Sequence, residues 1–109
     1  MELVPKRCKP CEDGTQPLNP EESRRLLGQV EGWKLEERST QKSFKLKNFV
    51  EAMKFVNRVA DLAEEEGHHP DIQISYNQVK LSLTTHAIGG LSENDFILAA
   101  KIDRLQTRD

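Results

Sequence analysis

Residues 48–83 read NFVEAMKFVNRVADLAEEEGHHPDIQISYNQVKLSL, and two periodicities meet inside this one stretch. In its first half, Phe49, Ala52, Met53, Val56, Val59, Ala60 and Ala63 fall on one face of a 3.6-residue repeat. Asn48 offers a capping side chain with Glu51 three positions on, and Gly67 is a natural stop. From Phe49 to Glu66 is 18 residues, and a helix of that length, about 27 Å, reaches across a small sheet. The second half changes to a period of two. Ile72, Ile74 and Tyr76 alternate with Asp71, Gln73 and Ser75, then Val79, Leu81 and Leu83 alternate with Lys80, Ser82 and Thr84. With Asn77-Gln78 as a two-residue turn, this predicts a hairpin of two half-buried strands.

The same two patterns flank the stretch on both sides. Upstream, Asn19-Pro20-Glu21-Glu22 has the cap, the first-position proline and the capping-box glutamate of a short helix that Gly28 ends. Trp33-Lys34-Leu35 and Ser43-Phe44-Lys45-Leu46-Lys47 alternate as a second pair of strands, joined across Glu37 to Lys42. Downstream, Ser92 and Asp95 have capping spacing, Leu91 and Phe96 have staple spacing, and Leu98, Ala99, Ile102 and Leu105 continue a last helix. The order is α-β-β-α-β-β-α. Every strand has a polar second face, so the fold class is α+β: a four-stranded antiparallel sheet with three helices packed on one face.

At 109 residues the chain has room for one domain, assigned to residues 19–109 behind an arm of residues 1–18. Its 16 Lys+Arg against 18 Asp+Glu leave a charge of −2, which argues against the clustered basic charge of direct nucleic acid binding. No run approaches the ~20 apolar residues of a membrane span. The arm holds Pro5, Pro10, Pro17 and a Cys8/Cys11 C-x-x-C pair, without a signal-peptide apolar run. Cytoplasmic location follows as an expectation, with both cysteines reduced. Zinc shared between arms of an oligomer is the second reading of the pair. A domain this small sits at the low end of surface burial, so association through sheet edges or the open face is expected.

All three histidines lie between His68 and His86. Glu64-Glu65-Glu66 ends the long helix against its macrodipole, which favours cations there, and an imidazole beside a carboxylate repairs that mismatch. His68 and His69 are adjacent, and Pro70 favours extended backbone at His69, so the two side chains point to opposite sides. His86 falls on the polar side of the fourth strand, just before Gly89-Gly90. Three readings stand: structural histidines, a three-histidine zinc site, or general acid–base catalysis. The H-x-x-x-H spacing of helical zinc sites is missing. Imidazole, with a reference pKa of about 6.5, both donates and accepts near neutral pH, which suits catalysis.

The spacing as a whole resembles a known family. Glu64, three residues, His68-His69-Pro70, five residues, Tyr76, nine residues, His86, eight residues and Asp95 is similar to the pattern of the pterin-4a-carbinolamine dehydratases. Gly32-Trp33, Asn48-Phe49, Tyr76-Asn77, Thr85-His86 and Gly90-Leu91-Ser92 extend the likeness over about residues 19–105. The resemblance implies loss of water from a 4a-hydroxytetrahydropterin to give the quinonoid dihydropterin, without metal or organic cofactor. It also implies a homodimer or homotetramer, and a functional link to an aromatic amino acid hydroxylase in tetrahydrobiopterin recycling. His68, His69 and His86 then match catalytic residues, while Glu64, Trp33 and Asp95 match residues around the substrate pocket. Asp95 also reads as the capping residue of the last helix, and Trp33 as a core residue. Some members carry an acidic residue where this chain has Gly67. A non-catalytic dimerisation, assembly or transcription-cofactor module on the same fold is the alternative function.

Overall fold

The computed structural model describes residues 16–36 and 38–106. Cys8 and Cys11, with the reduced-thiol and shared-zinc readings attached to them, lie outside that range. The elements are α1 (Pro20–Leu27), β1 (Lys34–Glu36), β2 (Ser39–Lys45), α2 (Phe49–Glu66), β3 (Asp71–Ser75), β4 (Gln78–Leu83), a 3₁₀ turn at His86–Ile88, and α3 (Glu93–Gln106). The strands form one antiparallel sheet in the order β1-β2-β4-β3.

Helix starts follow the local chemistry. Asn19 and Glu22 make a reciprocal capping box on α1, and the Asn48 side chain accepts from Glu51 N–H at the head of α2. One face of the sheet carries Phe44, Val79, Leu81 and Leu83 into a core completed by Ala52, Phe55 and Val59 of α2 and Leu98, Ala99 and Ile102 of α3. Leu91 and Phe96 sit together in a second cluster with Leu26 of α1, as the staple spacing predicts. Every residue from Asn94 to Ala100 is buried, so α3 is the central helix. Among the described residues the exposed large apolar ones are Phe49, Val50, Ile74 and Tyr76. Among the described residues no helix is long and apolar enough to cross a membrane.

Four expectations are corrected. β2 begins at Ser39, with Glu36 opposite Ser39, and not at Ser43. Its polar first half is strand because Thr40 to Lys45 pair along the whole of β4, and buried Thr40 donates its hydroxyl to the Lys34 carbonyl. The β3–β4 turn is Tyr76-Asn77, one residue early, since Ser75 pairs with Gln78. Asn77 is held there by exchanging bonds with Leu46: Leu46 N–H donates to its carbonyl and its Nδ2 donates to the Leu46 carbonyl. The buried stripe of α2 runs through Ala52, Phe55, Val59, Ala63 and Glu66, leaving Phe49 and Ala60 exposed. Finally, β4 stops at Leu83, and His86 opens the following turn instead of standing on the strand.

Candidate active site

Strand register brings the histidines to one end of the sheet. Asp71 pairs with Ser82, so the residues before β3 and those after β4 leave the sheet side by side. The first of these segments is aimed by the end of α2. Gly67 adopts φ 68°, the left-handed conformation that favours glycine, and the N–H groups of Gly67 and His68 both bond to the Ala63 carbonyl. A Cβ at Gly67 would meet nothing within 4 Å. Conformation, not space, calls for glycine at this position.

His68 then turns inward. Its Nε2–H donates to Asp95 Oδ1 at 2.6 Å, the His68 side chain being 12% exposed and that of Asp95 fully buried. A carboxylate only accepts, so this bond assigns the proton to Nε2 and leaves Nδ1 as the other working nitrogen. The second carboxylate oxygen of Asp95 accepts from Thr85 Oγ1–H at 2.9 Å and from Ser92 N–H at 2.9 Å. Thr85 and Ser92 hydroxyls are themselves 2.7 Å apart. Asp95 therefore caps α3, as its spacing from Ser92 predicts, and holds His68 at the same time. Burial of its charge is offset by three donors.

His69 turns outward. Its Nε2–H donates to Glu64 Oε2 at 2.5 Å, with the two side chains 59% and 78% exposed. The three glutamates at the end of α2 thus have different fates. Glu64 meets His69, Glu65 faces solvent, and buried Glu66 accepts from Lys101 Nζ of α3 at 2.7 Å. Two donors meet these carboxylates: one is an imidazole N–H and the other the ammonium of a lysine that sequence reasoning passed over.

His86 is exposed and borders a hollow of about 540 Å³ with Glu36, Arg38, Ser39, Gln41, Asp71, Ser82, Thr84 and Gly89. The hollow lies on the polar face of the sheet, and its size suits a small ligand. His68, His69 and Glu64 are not among its lining residues; Asp71, two residues after His69, is the nearest point of that segment on its wall. Trp33 is brought to none of these groups. It is buried in the core edge-to-face with Phe44, and its Nε1–H donates to Asp103, which also pairs with Lys42 at 2.8 Å. Among the described residues no three His, Cys, Asp or Glu side chains converge as metal ligands.

Sequence reasoning missed the supporting groups Thr85, Lys101 and Asp71. For Thr85 a signal existed: it continues the Val79, Leu81, Leu83 alternation, so a hydroxyl was due on the buried side.

Taken together, the site offers two imidazoles each tethered to a carboxylate and a third beside an open hollow. A sequence model of the pterin 4 alpha carbinolamine dehydratase family matches residues 16–105. The chain belongs to that family. Among pterin-4-alpha-carbinolamine dehydratases, a Nitrosomonas eutropha protein given that name provisionally is 51% identical over 105 residues, covering 95% of this chain and 93% of its own. The Arabidopsis thaliana pterin-4-alpha-carbinolamine dehydratase 2, mitochondrial, is 44% identical over 114 residues, covering 99% of this chain and 61% of its own. In three dimensions the chain is similar to a Brucella melitensis protein described as a transcriptional coactivator/pterin dehydratase, with TM-score 0.78 and 33% identity over 83% of this chain and 98% of that one.

Proposed function

We propose that this protein removes water from a 4a-hydroxytetrahydropterin, giving the quinonoid dihydropterin by histidine acid–base catalysis. Family membership supports the reaction class. The observation that carries the mechanism is the His68–Asp95 pair, an imidazole aligned by a buried, fully bonded carboxylate with its other ring nitrogen left to work.

The chemistry needs two proton movements. As the C4a–O bond breaks, its electron pair stays on oxygen, which takes a proton and leaves as water. The neighbouring ring N–H gives up its proton, and the freed pair forms the C4a=N bond. In this reading His68 and His86 are the donors towards the hydroxyl, one from each face of the ring. Asp95 holds the His68 ring through its Nε2–H and leaves Nδ1 for the proton transfer. His69, steadied by Glu64, binds the pterin and acts as base. The substrate is the product of a hydroxylase that leaves oxygen on C4a, which places the reaction in pterin recycling. The exposed Phe49, Val50, Ile74 and Tyr76 favour a homo-oligomer as the working form.

The test is the decay of enzymatically generated 4a-hydroxytetrahydropterin with and without the protein. Acceleration is expected, and His86→Ala or His69→Ala should lower it by on the order of 10² to 10⁴. Both side chains are exposed, so the variants should fold. A decay rate that the wild-type protein leaves unchanged would overturn the assignment and favour the binding-module alternative.

A further inference from the structure

We propose that Thr85 is a positioning residue that ties His68 and His86 to one another, an inference that rests on the acid–base reading above. Thr85 is 5% exposed and its two ends serve different histidines. Its Oγ1–H donates to Asp95 Oδ2, and Asp95 Oδ1 takes the Nε2–H of His68. Its main chain closes the loop that begins with His86. Thr85 N–H donates to the Gly90 carbonyl at 2.9 Å, while Gly90 N–H and Ile88 N–H return to the Thr85 carbonyl at 3.4 and 3.2 Å.

A carboxylate bound through one oxygen is free to rotate about its Cβ–Cγ bond. Asp95 is not, because Thr85 and Ser92 N–H fix Oδ2 and so direct Oδ1 at His68. The Ser92 hydroxyl, 2.7 Å from Oγ1, completes the hydroxyl's bonding and settles its direction. A charged pair between the end of α2 and α3, Glu66 with Lys101, stands six residues along α3 from Asp95. The hydroxyl at position 85 therefore sets the angle of His68, while the backbone of the same residue sets the position of His86.

The variant Thr85→Val keeps the shape and removes the hydroxyl. It should lower kcat by about 10- to 100-fold through misaligned groups, with KM changed less than about 3-fold because the hydroxyl does not touch substrate. Thr85→Ser should restore kcat. Proton NMR supplies a readout independent of turnover: the Nε2–H resonance of His68, sheltered by its bond to Asp95, should be sharp in the wild-type protein and in Thr85→Ser but exchange-broadened in Thr85→Val. Thr85→Ala removes the hydroxyl without placing a methyl against the carboxylate, and serves if Thr85→Val does not fold. Folded hydroxyl-free variants with wild-type kcat and a sharp His68 resonance would overturn the proposal. So would equal losses in Thr85→Val and Thr85→Ser, since packing would then be the cause. If the wild-type protein fails to accelerate dehydration, the dehydratase reading falls, and the resonance alone still decides whether Thr85 holds His68.

Discussion

His68 and His69 are neighbours in the chain, and each donates an Nε2–H to a carboxylate, at 2.6 and 2.5 Å. By distance the two bonds are twins. Their surroundings are opposite: Asp95 is fully buried and serves two further donors, whereas Glu64 and His69 are both largely exposed. The contrast teaches that hydrogen-bond length does not measure what a pair contributes. In water, both partners of the exposed pair have equally good alternatives, and screening removes most of the Coulomb gain. In the buried pair every alternative is absent, so losing one group strands the rest.

That difference is open to attack by mutation. The largest effect should come from Asp95→Ala, which leaves the Thr85 hydroxyl, Ser92 N–H and His68 N–H facing a buried space without their acceptor; a loss of about 3 kcal/mol is expected. Urea denaturation would measure it. Glu64→Ala should change stability by no more than about 0.5 kcal/mol in the same experiment. Equal losses in the two variants would erase the distinction between inner and outer pairs.

How much of this was written in the sequence varies with the kind of force involved. Helix starts at Asn19, Asn48 and Ser92 were legible because capping is local chemistry, settled within four residues. The alternation in residues 71–83 gave β3 and β4 for the same reason. The start of β2 was not legible: Ser39 to Lys42 are polar, and only pairing with a strand some forty residues away makes them strand. The α2 stripe holds at Ala52, Val59 and Ala63 and fails at Phe49 and Ala60, which fit a 3.6-residue repeat as well as Phe55 does. Which arc is buried depends on where α3 and the sheet lie.

The candidate site shows the same division. Residue types and spacing point to His68, His69 and His86 beside the glutamates that end α2, and to Asp95 as a cap; Glu64 and Asp95 join the site only through the family resemblance. Which carboxylate serves which histidine was not legible, since that depends on Gly67 sending His68 inward and His69 outward. Trp33 fits core and substrate pocket alike by sequence, and the structure gives it Phe44 and Asp103 as neighbours. Lys101 escaped notice because its partner Glu66 looked like one of three equivalent surface acids.

The most direct measurement compares turnover of 4a-hydroxytetrahydropterin by Asp95→Asn and Glu64→Gln, both nearly isosteric and both removing one negative charge beside a histidine. Asp95→Asn should lose on the order of 10²-fold in rate, as expected when the group orienting a catalytic imidazole is neutralised. Glu64→Gln should lose less than about 5-fold, as an exposed, screened partner would. Comparable losses in the two folded variants, or wild-type turnover by Asp95→Asn, would contradict the account.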